Sequence, residues 1–251
     1  MMRDSWLVLL TQLQTEMTAV PKFPLLIQIC SVLQFVLMLP ILWIGVVAVL
    51  GLTRRKKDFP LVRKLNRFAI VVCARNEETA LPSLLESIRR ADYPADHLHV
   101  YLFADHCTDR TAAIGRKYPF VSVYERKSGP TTGKGAVLNW GIPILFHDAG
   151  DSFDAVAVFD ADNVVSSDYF TQMNAQLNAG DEIIQGNRLG GKPYTSIVTK
   201  WYTLYWSCYS TFFSYAREKL NLSAFLTGTG FVVTRNVLKD GWHTKTITED
   251  V

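Results

Sequence analysis

From Leu25 to Leu52 the chain carries no charged residue, and its polar side chains are few: Gln28, Ser31 and Gln34. As a helix this run would extend roughly 42 Å, beyond the ~30 Å of bilayer hydrocarbon. Pro40 is placed to kink it, and tilt would absorb the excess length. A cleaved leader fits less well, because the run begins late and no small-x-small site ends it. The alternative is a helix buried in a soluble core. Next comes RRKKDFPLVRKLNR, Arg54 to Arg67, with seven basic residues against the one acid Asp58. Positive flanks stay on the cytoplasmic side of a span. The pattern predicts one transmembrane helix over 25–52 at the plasma membrane, a basic linker over 53–67, and a cytosolic remainder over 68–251. Within 1–24, Trp6, Leu7, Leu10, Leu13 and Met17 recur at near-helical spacing, which allows a short interfacial helix.

The rest of the composition excludes several classes. The chain has 251 residues, 49% hydrophobic and 20% charged, which excludes a disordered or fibrous protein. A net charge of +3 gives no basis for nucleic-acid binding. Cys30, Cys73, Cys107 and Cys208 lie far apart, with no spacing suited to zinc or to a disulfide framework.

After Arg67, apolar β-branched runs alternate with helical patterns. FAIVVCA (68–74), LHVYLFAD (98–105), VSVYER (121–126), FDAVAVFDAD (153–162) and a stretch near 182–185 read as strands. Helices are expected over about 79–90, from Thr108 or Asp109 to near Tyr118, and over 135–146 and 167–178. Such alternation implies right-handed crossovers and a largely parallel sheet. Tyr194 to Tyr215 is crowded with aromatics. It reads as a core helix, as a helix at the membrane surface, or as aromatics on which a ligand stacks.

In a parallel α/β sheet, ligands bind beyond the carboxyl ends of the strands. Three strand ends here present acids: Arg75-Asn76-Glu77-Glu78, Asp105, and Asp160-Ala161-Asp162. Paired hard carboxylates such as Asp160 and Asp162 can hold Mg²⁺ or Mn²⁺ and leave positions for phosphate oxygens. The stretch around Lys134 is not a P-loop, because Gly135 stands where Ser or Thr is required. Lys134 could still meet a phosphate as a point charge near a helix start.

Together VVCARNEE, FADHCTDRT, GKGAVLNWG, FDADN, IIQGNR, LTGTGFVVTR and TITEDV, in this order, make the region from Phe68 to Val251 resemble the family 2 glycosyltransferases. The likeness is to the membrane-bound group that includes the cellulose, chitin, hyaluronan and poly-N-acetylglucosamine synthases. The resemblance implies an α/β nucleotide-diphospho-sugar transferase (GT-A type) fold. It implies inverting transfer of a hexose or N-acetylhexosamine from a UDP-sugar to a hydroxyl acceptor. That acceptor would be a growing polysaccharide, with polysaccharide-assembly partners, or alternatively a lipid taking a single sugar. A silent nucleotide-sugar-binding module is the non-enzymatic alternative.

The resemblance also assigns roles. Ala74, Arg75 and Glu77 would line the donor pocket, Asp105 would receive the uracil ring, and Lys134 would lie near the nucleotide-sugar. Asp160 and Asp162 would hold the metal and diphosphate. Gly228, Thr229, Gly230 and Glu249 would face the acceptor, and Asp250 would be the general base. Two departures stand out. Ala104 and His106 flank Asp105, where the family has a second acid. The family also continues past its Thr-Glu-Asp motif with a Gln-x-x-Arg-Trp motif and further spans, so the sequence leads us to expect a fragment of a longer protein.

Overall fold

The computed structural model describes residues 24–53, 64–129, 131, 133–190, 195–223 and 225–242. Helix α1, Pro24–Thr53, accounts for the uncharged run and continues through Pro40. Among its described side chains Val47 is buried, Ala48 is partly so, and the others are exposed. A helix belonging to a soluble core would bury a stripe or its whole circumference. By length and composition α1 suffices to cross a membrane.

The domain is an α/β sandwich built on β1 (Phe68–Ala74), β2 (Leu98–Asp105), β3 (Val121–Arg126), β4 (Ala155–Asp160), β5 (Ile183–Gln185) and β6 (Phe231–Thr234). These six form one sheet among the described residues, in the order β3-β2-β1-β4-β6-β5. The pairs β1–β2, β1–β4 and β2–β3 are parallel, whereas β6 runs antiparallel to both β4 and β5. The short β6 is not evident from the sequence pattern. It inserts between β4 and β5, so these two consecutive strands are not neighbours in the sheet.

Both faces of the sheet are covered, as near-continuous apolar strands require. On one face, Ile70, Val72 and Leu102 pack with Leu84, Leu85 and Ile88 of α2 (Leu81–Arg89) and with Phe170 and Met173. The last two belong to α5 (Tyr169–Ala179). On the other face, Val71, Phe103 and Val158 meet Val137, Leu138, Ile142 and Leu145 of α4 (Lys134–Ala149). Gly141 lets α4 lie close to the sheet: a Cβ there would fall 2.3 Å from the Phe103 ring. The helix expected after Thr108 is only one turn, α3 (Thr111–Gly115), because Asp109 and Thr111 are engaged with the β1 loop instead.

The aromatic segment is not a core helix. Helix α6 (Ile197–Cys208) runs into a π-helical stretch, Tyr209–Tyr215, and then α7 (Ala216–Lys219). Neither α6 nor the π stretch contains a buried residue. Phe212, Phe213 and Arg217 instead line a small crevice with Trp43, Ile44 and Val47 of α1. The linker's end is tied down too: Lys64 and Asn66 donate backbone N–H groups to Asn178 and Asn174 of α5. The interfacial helix considered within 1–24 lies outside the described residues.

Candidate active site

Strands β1, β2 and β4 end side by side, and the chain must turn at each end. Asn76 and His106 take left-handed backbone conformations there, with φ of 56° and 49°, a region Asn and His tolerate better than most residues. The two turns are laced together. Thr108 donates its N–H to Asn76 Oδ1 at 2.8 Å, Glu77 N–H donates to Thr111 Oγ1 at 2.8 Å, and Glu78 N–H donates to Asp109 Oδ2 at 3.0 Å. This network holds Arg75 and Glu77 over the sheet's edge without help from a ligand.

The cleft above these ends has a volume of about 310 Å³, within the range of small-molecule sites. Ala74, Arg75, Glu77, Asp105, Lys134, Asp160 and Asp162 all line it. The structure therefore brings together every donor-side and metal residue predicted from the sequence. Asp160 is the last residue of β4, while Asp162 stands in the turn beyond it. The strand thus ends two residues short of the 162 expected from the sequence, and the two carboxylates reach one cleft through that turn.

Lys134 owes its position to Gly133. The φ of 113° at Gly133, strained for any residue with a Cβ, turns the chain into α4 and makes Lys134 its first residue. Its Nζ donates to Asp160 Oδ1 at 2.7 Å and also to the Gly228 carbonyl. This second bond joins the predicted acceptor-side loop to the donor cleft. Thr229 is buried; its Oγ1 accepts the Asp160 N–H at 2.9 Å and donates to Asn163 Oδ1. Gly230 N–H donates to the Val158 carbonyl at 2.8 Å. Gln185 clamps the same loop, accepting from Thr227 N–H at 2.8 Å and donating to the Thr229 carbonyl at 3.0 Å. Glu249 and Asp250 lie outside the described residues.

Asp105 is buried and accepts from Arg126 Nη1 at 2.6 Å and His106 Nδ1 at 2.8 Å, both on Oδ1. Burial works to raise its carboxyl, but the bonds from Arg126 and His106 prevail and hold it below the usual carboxylate range. Oδ2 has no donor among the described residues and can accept one from a ligand. Arg126 escaped the sequence reading. It closes β3 directly opposite Asp105 in the parallel register, so a cation at the end of the neighbouring strand was the available signal.

The cleft is electronegative. Burial, and then the charges of Asp162, Asp109 and Asp160, push the Glu77 carboxyl up. Among the described residues, no group of three or more His, Cys, Asp or Glu side chains is close enough to hold a metal alone. The donor set is instead two hard carboxylates beside an open cleft. It fits an ion whose remaining positions are filled by phosphate oxygens and water, the usual manner of Mg²⁺ or Mn²⁺.

A mostly parallel α/β sheet with an antiparallel strand inserted beyond β4, and acids at three strand ends, defines a GT-A-like domain. Residues 66–251 match the family model described as "Glycosyltransferase like family 2", and the chain belongs to that family. The chain is similar to the beta-monoglucosyldiacylglycerol synthase of Nostoc sp., with 26% identity over 196 residues, 73% of this chain and 39% of the relative. It is also similar to the probable glycosyltransferase YdaM of Bacillus subtilis, 25% identical over 199 residues, 75% of this chain and 46% of the relative. The chain thus spans less than half the length of these curated relatives. Among solved structures, a mannosyltransferase of Pyrobaculum calidifontis, PcManGT, in complex with GDP-Man and Mn²⁺, shares the fold at a TM-score of 0.63 and 19% identity. That match covers 84% of this chain and 57% of PcManGT.

Proposed function

We propose that this domain transfers a hexose or N-acetylhexosamine from a UDP-sugar to a hydroxyl acceptor, with inversion at the anomeric carbon. The observation that carries this reading is the gathering of Glu77, Asp105, Lys134, Asp160 and Asp162 in one cleft at the carboxyl ends of β1, β2 and β4. Asp105 Oδ2 accepts the N–H of the uracil ring, and its partners Arg126 and His106 keep it ionised for that purpose. Lys134 offers its ammonium group to the diphosphate. Asp160 and Asp162 would hold Mg²⁺ or Mn²⁺, which when bound neutralises charge on the departing diphosphate. Asp250 takes the proton of the acceptor hydroxyl as its oxygen attacks from the face opposite the nucleotide. The transition state has oxocarbenium character, as in inverting glycoside hydrolysis.

Of the two acceptors the sequence left open, we adopt the lipid. The support is the name of the Nostoc relative, a synthase of a glucosyl lipid, and the placement of the domain against α1. Incubating membranes with radiolabelled UDP-glucose tests this. The expected product is a chloroform-soluble lipid bearing one sugar; label found only in water-soluble or insoluble polymer would return the acceptor to polysaccharide. Topology is part of the proposal, with the domain on the cytosolic side where UDP-sugars are found. Protease added to sealed, right-side-out cells should leave the domain intact, and its digestion from outside would refute this orientation.

A further inference from the structure

Thr229 stands in the Gly228-Thr229-Gly230 loop, which the family resemblance sets on the acceptor side. Its placement argues for a different role. The residue is only 3% exposed, so an acceptor has no surface of it to touch. Gly228 and Gly230 on either side take left-handed backbone conformations, with φ of 74° and 64°. Thr229 is thus the one residue of the three that carries a side chain, and its hydroxyl is spent on the end of β4. Gln185 of β5 holds the Thr229 carbonyl and the Thr227 N–H, and the Gly230 N–H is bonded to β4. The hydroxyl is therefore a fixed point between two strands.

From that point a chain of hydrogen bonds runs to both acids of the Asp160-Ala161-Asp162 pair. Thr229 Oγ1 accepts the Asp160 N–H at 2.9 Å and donates to Asn163 Oδ1. Only a group that accepts and donates at once can join a backbone N–H to a carbonyl oxygen, and a hydroxyl is such a group. Asn163 passes the constraint on. Its Oδ1 also accepts the Asp160 N–H, at 3.3 Å, which leaves Nδ2 to donate to Asp162 Oδ1 at 3.2 Å. Turned over, the amide would set its NH₂ against the Asp160 N–H and its oxygen against the carboxylate, so the bonds themselves fix its orientation. The Asn163 bond is the one hydrogen bond to the Asp162 carboxylate among the described residues. Asp162 is exposed and stands in a turn, so its direction depends on that bond.

We infer that Thr229 is a positioning residue for the two carboxylates that would hold the metal: it fixes the end of β4 directly and aims Asp162 through Asn163. The inference rests on the metal reading above and takes Thr229 off the acceptor side. Outer partners that orient metal ligands typically carry roughly 10- to 100-fold in metal affinity. The test measures Mn²⁺ binding by electron paramagnetic resonance, with UDP present, for the protein in phosphatidylcholine nanodiscs. UDP affinity in excess chelator is measured by calorimetry on the same samples. Thr229→Val keeps the shape and removes both hydrogen bonds, and it should weaken Mn²⁺ about tenfold or more. Thr229→Ser keeps the hydroxyl and should stay within about twofold of the parent. Asn163→Ala should also weaken Mn²⁺, and the double variant should lose less than the product of the single losses, because both act on one chain of bonds. UDP affinity in chelator should change by no more than about twofold, since Asp105 and Lys134 are left in place. If Thr229→Val fails to fold, Asn163→Ala carries the test. Mn²⁺ affinity unchanged by either variant, a loss from Thr229→Ser equal to that from Thr229→Val, or fully multiplicative losses would overturn the inference. A fall in UDP affinity in chelator as large as the loss of Mn²⁺ would indicate a distorted cleft and overturn it too. Equal UDP affinity with and without Mn²⁺ in the parent would instead overturn the metal reading on which it rests.

Discussion

Replacing Asp250 with asparagine should lower sugar transfer by 10²- to 10⁴-fold, roughly 3–5 kcal/mol of barrier, while leaving UDP affinity nearly unchanged. The substitution keeps the side chain's shape and removes its basicity. Its proposed work begins only when the acceptor hydroxyl loses a proton, so the loss belongs to the transition state and not to donor binding. Asp162→Ala should behave in the opposite way, weakening the donor complex because a metal ligand is lost from the ground state. Transfer from UDP-glucose and calorimetric UDP affinity, measured together for both variants, separate the two effects. Transfer by Asp250→Asn within a few-fold of the parent would remove Asp250 as the base and make Glu249 the next candidate.

Arg126→Leu should be among the most destabilising substitutions in the domain. The pair with Asp105 is buried on both sides, with side-chain exposures of 6% and 7%. Removing one partner of such a pair costs about 3–5 kcal/mol, because the remaining charge is left uncompensated. The pH dependence follows from the sign of the Asp105 shift. In the parent its carboxyl is held low, so the pair's contribution is present above the unfolded value of about 3.9 and is lost as pH falls through the folded value. In the variant burial acts with less opposition and raises the carboxyl, so protonation relieves the penalty as pH falls. Unfolding in detergent at pH 8 and pH 5 should show a larger difference between variant and parent at pH 8. A difference below about 1 kcal/mol at both pH values, far short of a broken buried pair, would contradict the assigned role of Arg126.

Much of this site was readable because strands and chemistry coincide in sequence. VVCARNEE, LFAD and VFDAD each carry an apolar strand directly into the acids that line the cleft, so locating the strands located Glu77, Asp105 and Asp160. Lys134 required the family resemblance, since nothing local distinguishes it from a solvated lysine. Arg126 was passed over because its partner lies across a strand pairing that joins positions 21 residues apart, and only the matching ends of the two strands hinted at it. The strand β6 was missed because its four residues lie inside LTGTGFVVTR, which reads as a motif and not as a strand, although its antiparallel insertion is what brings Gly228 and Thr229 beside Lys134 and Asp160. The aromatic helix was ambiguous for a different reason. A sequence of Trp, Tyr and Phe suits a core or an interface equally well, and only its placement beside α1 separates the two.

The measurement closest to the central claim is a calorimetric titration of UDP with Mn²⁺ present and again in excess chelator. Asp160, Asp162 and Glu77 make the cleft electronegative, and a diphosphate entering without a cation meets that charge uncompensated. The account predicts tight binding with Mn²⁺ and a loss of at least about tenfold, ~1.4 kcal/mol, without it. Equal affinity in the two titrations would contradict it.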